Sequence, residues 1–289
     1  MSTPSHTIAV LGLGRMGTIF ASKLADTGHH VTVWNRTRAH AIPLEAKGVT
    51  VAASPKDAAT GANVVVAMLR DDDASRDVWL RPGDGAIEGL SPDALAIELS
   101  TLQPRWVTAL ADEIAKRGAH FIEAPVIGST PQANAGQAIH FTGGDPALAD
   151  RAKPILSAWS GAIHHVGPIG SAAVAKLAVN ALFAVQVIGV AQYHAMLGAA
   201  GLGAAQATEL LNHLPVASPA AKGAAALMTA QRDDALFPIE LVAKDLRYAG
   251  ALACKHGALL EAATSTFEEA NSNGLGGENI TAIRKLFAA

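Results

Sequence analysis

The sequence predicts a doubly wound α/β domain followed by an all-helical one. Short apolar runs alternate with helix-patterned segments up to about residue 165. A Gly-rich turn joins the first such run to the first helix. Beyond the breaker cluster Gly167-Pro168-Ile169-Gly170, nearly everything carries a helical pattern. The expected division is therefore 1–165 for the α/β part, a mostly parallel sheet, and 166–289 for the helical part.

In chain order, Thr7–Leu11 reads as a strand and about Arg15 to Thr27 as a helix. Val31–Trp34 is the second strand and Val49–Val51 a short third. Asn63–Leu69 is a continuous β-branched run, the kind buried on both faces of a parallel sheet. Asp71-Asp72-Asp73 opens a helix running toward Trp79, where negative charge suits the N-terminal dipole; a metal site is not expected there, because no His or further acid stands at helpful spacing. Ala94–Leu99 and Ala119–Glu123 are further strands around a helix at Pro104–Arg117. In the second half, stops stand at Gly201/Gly203, Pro215–Pro219, Phe237-Pro238 and Asn271–Gly277.

Composition supports this division. Half of the 289 residues are hydrophobic and 16% are charged, enough for large cores, and the scarcity of aromatics favours close helix packing. A net charge of −3 gives no electrostatic reason to expect nucleic acid or an anionic membrane as partner. The single cysteine, Cys254, excludes an internal disulfide and a Cys-based zinc cluster, and reads as a packed small residue. Met1–Val10 lacks the basic region and apolar run of a signal peptide, so a reducing cytoplasm is expected. Ala172–Ala191 has the length of a membrane span, but it is Ala-rich and contains Lys176, Asn180 and Gln186; a buried core or subunit interface suits it better.

Gly12-Leu13-Gly14-Arg15-Met16-Gly17 matches G-x-G-x-x-G after a strand and at the start of a helix. The first Gly permits the tight turn, the second admits a pyrophosphate against backbone N–H groups, and the third lets helix pack on strand. The pattern predicts a Rossmann-type dinucleotide site. At the end of the second strand, where an NAD site presents an acid to the ribose, stands Asn35-Arg36-Thr37. Asn35 does not repel a 2′-phosphate, Arg36 can pair with one and Thr37 can donate to it, which favours NADP, with NAD as the other option. The plain alternative is a solvated basic loop.

Lys176 and Asn180 stand four apart on one helical face between apolar runs. An unpartnered buried ammonium would be strongly destabilising, whereas an active-site cleft would retain one. The spacing alone fits equally well a lysine that snorkels to the surface.

With these motifs on the page, the chain resembles the β-hydroxyacid dehydrogenases, the group of 3-hydroxyisobutyrate dehydrogenase, tartronate semialdehyde reductase and the glyoxylate/succinic semialdehyde reductases. The last branch is the most similar. The likeness runs through GLGRMG at Gly12–Gly17, VWNRT at Val33–Thr37, Met68-Leu69 and ELSTLQP at Glu98–Pro104. It continues through EAPVIGS at Glu123–Ser129, GPIGSAAVAKLAVN at Gly167–Asn180 and KDL at Lys244–Leu246. The resemblance implies that Lys176 is the general acid for the carbonyl oxygen and that Asn180 orients it. It implies cofactor contacts from Met68, Leu69, Thr101 and Lys244, and a substrate pocket including Gly128, Ser129, Phe237 and Asp245. It also implies a long helix from near Ala172 linking the domains, a 6-phosphogluconate dehydrogenase-like C-terminal domain, and a homodimer or homotetramer. The substrate would be a small aldehyde, keto acid or hydroxy acid.

One departure stands out. The family pattern at Val126–Ser129 places a Ser where this chain has Ile127, removing one hydroxyl donor to a substrate carboxylate. Such a bond is worth about 1.5–3 kcal/mol, which points to a substrate bulkier or less acidic than glyoxylate. Imine reductases share the strand end but generally lack the lysine, so Lys176 argues against them, while Ile127 leaves promiscuous imine or ketone reduction open. A nucleotide-binding protein without chemistry is the reading of another class, disfavoured by the joint presence of Lys176, Asn180 and Lys244.

Overall fold

A computed structural model describes residues 5–252 and 257–287; Cys254 lies outside the described residues. The first half contains β1 (Thr7–Leu11), α1 (Arg15–Asp26), β2 (His30–Trp34), α2 (Ile42–Glu45), β3 (Thr50–Val51), α3 (Pro55–Ala59), β4 (Val64–Ala67), α4 (Asp72–Leu80), β5 (Leu95–Glu98), α5 (Pro104–Ala115) and β6 (His120–Glu123). It continues with β7 (Val126–Ile127), α6 (Thr130–Asn134), β8 (Ala138–Gly143), α7 (Pro146–Leu156) and β9 (Ser160–Gly167). The helices that follow are α8 (Ser171–Ala199), α9 (Ala204–His213), α10 (Pro219–Thr229), α11 (Ile239–Gly250) and α12 (Ala258–Ala270).

The strands form one sheet in the order β3-β2-β1-β4-β5-β6-β8-β7, with β9 beside β8. β1 to β6 run parallel, β8 is antiparallel to β6, and β9 is parallel to β8. The chain reverses its winding between β1 and β4, which places a crevice at their C-terminal ends, the place where open α/β sheets hold ligands. β4 reads VVVA and every residue of it is buried, as a central strand covered by helices on both faces requires.

Two cores flank the sheet. One gathers Ile8, Val10, Phe20, Leu24, Ile97 and Trp159; the other gathers Leu11, Val65, Trp79, Leu102, Leu110 and Phe121. A third joins α8 to α12 through Val187, Leu211, Met228, Leu246 and Phe267. Compact units divide inside α8, between Lys176 and Leu177. The breakers end β9, and the first turns of α8 remain packed with the sheet through Ala173. α8 is long and apolar enough by length and composition to cross a bilayer, and a third of its most apolar stretch is buried. It exposes Val174, Leu182 and Met196.

Three strands, β7 to β9, were not expected. β7 has two residues, and β9 is only partly covered along its whole length, so neither shows the dense apolar signature of β1 or β4.

Candidate active site

The glycine turn is built as its pattern requires. Gly12 has φ +98°, and a Cβ there would overlap Met68 O; a Cβ on Gly17 would overlap Gly12 O. These two glycines let α1 and the end of β4 close on the turn. Gly14 is different, since nothing lies within 4 Å of where its Cβ would be, and both Gly14 and Arg15 are exposed. No side chain caps α1 and no acid stands in its first turn. That helix end leaves backbone N–H groups and a positive dipole facing open space, which fits a pyrophosphate.

Asn35 acts as a bracket. Its Oδ1 accepts from Leu13 N at 2.9 Å and its Nδ2 donates to Thr37 O at 2.9 Å, tying the glycine turn to the loop after β2. Arg36 and Thr37 are exposed beside it. The Arg36 charge is among those that lower the Asp77 carboxyl, after the hydrogen bond from Arg81.

The Met68-Leu69 segment is fixed from beneath by a buried acid that sequence reasoning did not assign. Glu98, 1% exposed, ends β5. Its Oε2 accepts from Trp79 Nε1 at 2.9 Å and Ser75 Oγ at 3.1 Å; its Oε1 accepts from Ser100 N at 3.0 Å and Ser100 Oγ at 2.5 Å. The Ser100 hydroxyl in turn accepts from Leu69 N at 2.7 Å. Burial pushes Glu98 above the usual carboxylate range against those hydrogen bonds. One carboxylate therefore orients Ser100, the Leu69 backbone and the start of the loop carrying Thr101. Asp71 caps α4 through Ala74 N at 2.8 Å, and Asp72 accepts from Gln103 N at 3.0 Å. Two of the three acids thus hold backbone, and no group of three metal-ligating side chains occurs among the described residues.

The next strand ends the same way, with Glu123 beside Glu98 in register. Its Oε1 accepts from Gly170 N at 2.6 Å and Ala172 N at 3.1 Å, and its Oε2 from Ala173 N at 2.9 Å. These donors belong to the first turn of α8 and the residue before it. Burial pushes Glu123 up to about 7 despite them. His140, in β8, is wholly buried; its Nδ1 meets Ala124 O at 2.6 Å, so the proton resides on Nδ1, and Nε2 finds no partner among the described residues. Burial pushes this imidazole down to about 4, with the Lys176 charge acting in the same direction.

On α8, Lys176 is 8% exposed and Asn180, one turn on, 6%, so Lys176 is not a lysine snorkelling to solvent. In the second unit, Asn180 Nδ2 donates to Asp245 Oδ2 at 2.6 Å. A carboxylate only accepts, so this bond fixes which way the amide faces. Lys244 Nζ lies 3.0 Å from Asp245 Oδ1, a charge contact off the hydrogen-bonding direction, and 5.1 Å from the Tyr248 ring centroid. Phe237 packs against the helical core, and its N–H donates at 3.0 Å to Asn279, a buried clamp that also accepts from Leu236 N. After β6, Ile127 of β7 pairs with Ile139 of β8, Gly128 has φ +109°, and Ser129 precedes α6, its N–H donating to Gln132 Oε1 at 3.0 Å.

Sequence reasoning missed Glu98, Glu123, His140 and Asn279. The signal for the first two was an acid closing an apolar strand, LAIE and HFIE.

A family model described as the NAD binding domain of 6-phosphogluconate dehydrogenase matches residues 7–167, and one described as the NAD-binding of NADP-dependent 3-hydroxyisobutyrate dehydrogenase matches residues 170–287. The chain belongs to the β-hydroxyacid dehydrogenase family. It is an oxidoreductase with a nicotinamide-dinucleotide-binding domain. The chloroplastic glyoxylate/succinic semialdehyde reductase 2 of Arabidopsis thaliana is 30% identical over 286 residues, 98% of this chain and 80% of the relative. An uncharacterised oxidoreductase of Bacillus subtilis (strain 168) is 34% identical over 284 residues, 96% of this chain and 98% of its own. Among solved structures, Mycobacterium tuberculosis 3-hydroxyisobutyrate dehydrogenase with L-serine shares the fold at a TM-score of 0.88 and 24% identity, covering 99% of this chain and all of that one.

Proposed function

We propose that this family member is an NADPH-preferring reductase of small aldehydes or keto acids, working reversibly on the corresponding hydroxy compounds, with Lys176 as the proton donor. The observation that carries the reading is a lysine and an asparagine buried one helical turn apart, the asparagine fixed by a carboxylate that is itself ion-paired.

Gly12, Leu13, Gly14, Arg15, Met16 and Gly17 would hold the pyrophosphate, Arg36 and Thr37 the 2′-phosphate, and Met68, Leu69 and Thr101 the nicotinamide end. Nicotinamide, when bound, supplies or accepts hydride. The Lys176 ammonium stabilises negative charge growing on the carbonyl oxygen and transfers a proton to it; in the oxidative direction the neutral amine takes the proton back. Asn180, one helical turn after Lys176, has its Nδ2 committed to Asp245 and so holds its amide in one orientation. Lys244 stands against Asp245 as its ion-pair partner at 3.0 Å. Glu98, acting through Ser100, holds the Leu69 backbone that would line the cofactor.

The missing hydroxyl at Ile127 points to an aldehyde or keto acid with more apolar surface than glyoxylate. Subunit association through the Ala-rich face of α8, and a cytoplasmic location, belong to the same proposal.

A substrate panel with NADPH and NADH, followed at 340 nm, tests it. The expected result is turnover of semialdehydes or keto acids, NADPH giving the higher kcat/KM. Turnover of cyclic imines alone, or equal efficiency with NADH, would contradict it.

A further inference from the structure

We propose that Glu123 is a positioning residue for Lys176: its carboxylate fastens the first turn of α8 and thereby sets where the amine stands. The inference rests on the assignment of Lys176 as proton donor.

Both carboxylate oxygens are used, on three backbone N–H groups at 2.6 to 3.1 Å. The group is 1% exposed. A helix N-terminus attracts a carboxylate through its dipole and its unpaired N–H groups together. Here the attraction joins elements far apart in sequence, since Gly170 lies 47 residues after Glu123 and Ala173 lies 50 after it. The surroundings are shaped to it. A Cβ on Gly143, at the end of β8, would overlap Glu123 Oε1. Gly170 has φ +94°, a conformation that aims its N–H at the acid and that other residues rarely adopt.

The consequence for Lys176 is geometric. Lys176 follows Ala172 and Ala173 by four and three residues, so it projects from the same helical face as the anchored amides, about 5 Å further along the axis. The residues between are Val174, which is exposed, and Ala175. Neither holds the helix in rotation. With Ala173 packed in the core beside the sheet, the carboxylate bonds the backbone of this turn directly and sets its rotation and height, and a helix turned by a few degrees moves a long lysine side chain out of line with a reacting oxygen.

The test is a double-mutant cycle in the full chain, with Glu123→Gln and Lys176→Ala singly and together. An amide in this place sets its own N–H donors against backbone donors. The expected result for Glu123→Gln is a drop in kcat of about 10- to 100-fold with the Kd for NADPH changed by less than about twofold, as loss of alignment without loss of binding requires. In the Lys176→Ala background the same change should leave the residual kcat unaltered, because the group it positions is gone. Where Glu123→Gln does not yield folded protein, Gly143→Ala displaces the intact carboxylate and is read in the same cycle. A folded Glu123→Gln enzyme with parental kcat, or an equal loss with and without Lys176, overturns the inference. A Lys176→Ala enzyme with parental kcat instead overturns the proton-donor assignment, so the two failures are distinct.

Discussion

Two helix N-termini in the first unit meet negative charge in opposite ways. α1 begins behind Gly14 with no cap, no acid in its first turn and open space above it. α8 begins behind Gly170 with a buried carboxylate on its first N–H groups. Both starts are Gly-rich in the sequence, GLGRMG and GPIGSA, yet one is left uncapped, as the proposed pyrophosphate site requires, and the other is filled by the protein's own acid. A glycine-rich helix start is a potential anion site, and what decides its use is whether some distant residue already occupies it.

The largest expected effect comes from making the first end resemble the second. Gly14 has φ −67° and ψ −177°, which any residue adopts, and its Cβ direction is free. Gly14→Asp should therefore fold, cap α1 and raise the unfolding free energy by about 0.3 kcal/mol. The same carboxylate should weaken NADPH binding by about 100-fold or more, since it takes the N–H groups and repels the pyrophosphate. Calorimetry and fluorescence titration check the two signs; retained affinity would show that α1 is not the anion site.

The second end gives a pH signature. Burial raises Glu123 from 4.5 to about 7, so the contribution of this group is fully present below pH 4.5 and lost as pH rises to about 7. That interval is worth roughly 3 kcal/mol. His140, lowered from 6.5 to about 4 by burial, runs the other way, its contribution present above pH 6.5 and lost as pH falls toward 4. The two offset each other in the parent, so the variant isolates the acid. The stability of the parent minus that of Glu123→Gln should fall between pH 4.5 and pH 7.5 by roughly 3 kcal/mol in denaturant titrations. A difference that rises with pH would mean that the amide groups of α8 hold the charged form below its ordinary value.

A smaller effect sharpens the ligand side. Arg36→Ala should lower kcat/KM for NADPH by about 10- to 100-fold, the value of a charge-assisted bond to phosphate, and leave NADH within about twofold. Equal losses with both cofactors would place Arg36 outside the 2′-phosphate site. The smallest concerns a third helix start, α4, capped by Asp71. Asp71→Ala should cost about 1 kcal/mol of stability with activity unchanged, the value of an ordinary cap.

The comparison also shows what was legible in the sequence. β1, α1 and β2 could be read nearly to the residue, because a buried parallel strand is a dense β-branched run and the glycine spacing is local. The helical half was readable from its Gly and Pro stops, which fall between α8, α9, α10 and α11. β7 and β9 were not, since a short or half-covered strand lacks that density, and β8 places the polar His140 and Thr142 at its buried positions. Lys176 and Asn180 were visible as a pair through helical spacing, although spacing alone did not say that they are buried. Glu98 and Glu123 were quoted within motifs without a role, because an acid at a strand end has the same local pattern whether it faces solvent or a helix N-terminus many residues downstream. His140 was hidden for a similar reason: one imidazole within an apolar alternation does not reveal that Ala124 O fixes its tautomer.

The amine of α8 is the proposed proton donor, and its most direct measurement is single-turnover oxidation of saturating NADPH by Lys176→Ala with the best substrate of the panel. The predicted result is a rate reduced by about 100- to 10,000-fold, the usual contribution of a general acid, while NADPH binds with parental affinity. A rate close to that of the parent, with the cofactor bound, would contradict the assignment of Lys176 as the proton donor.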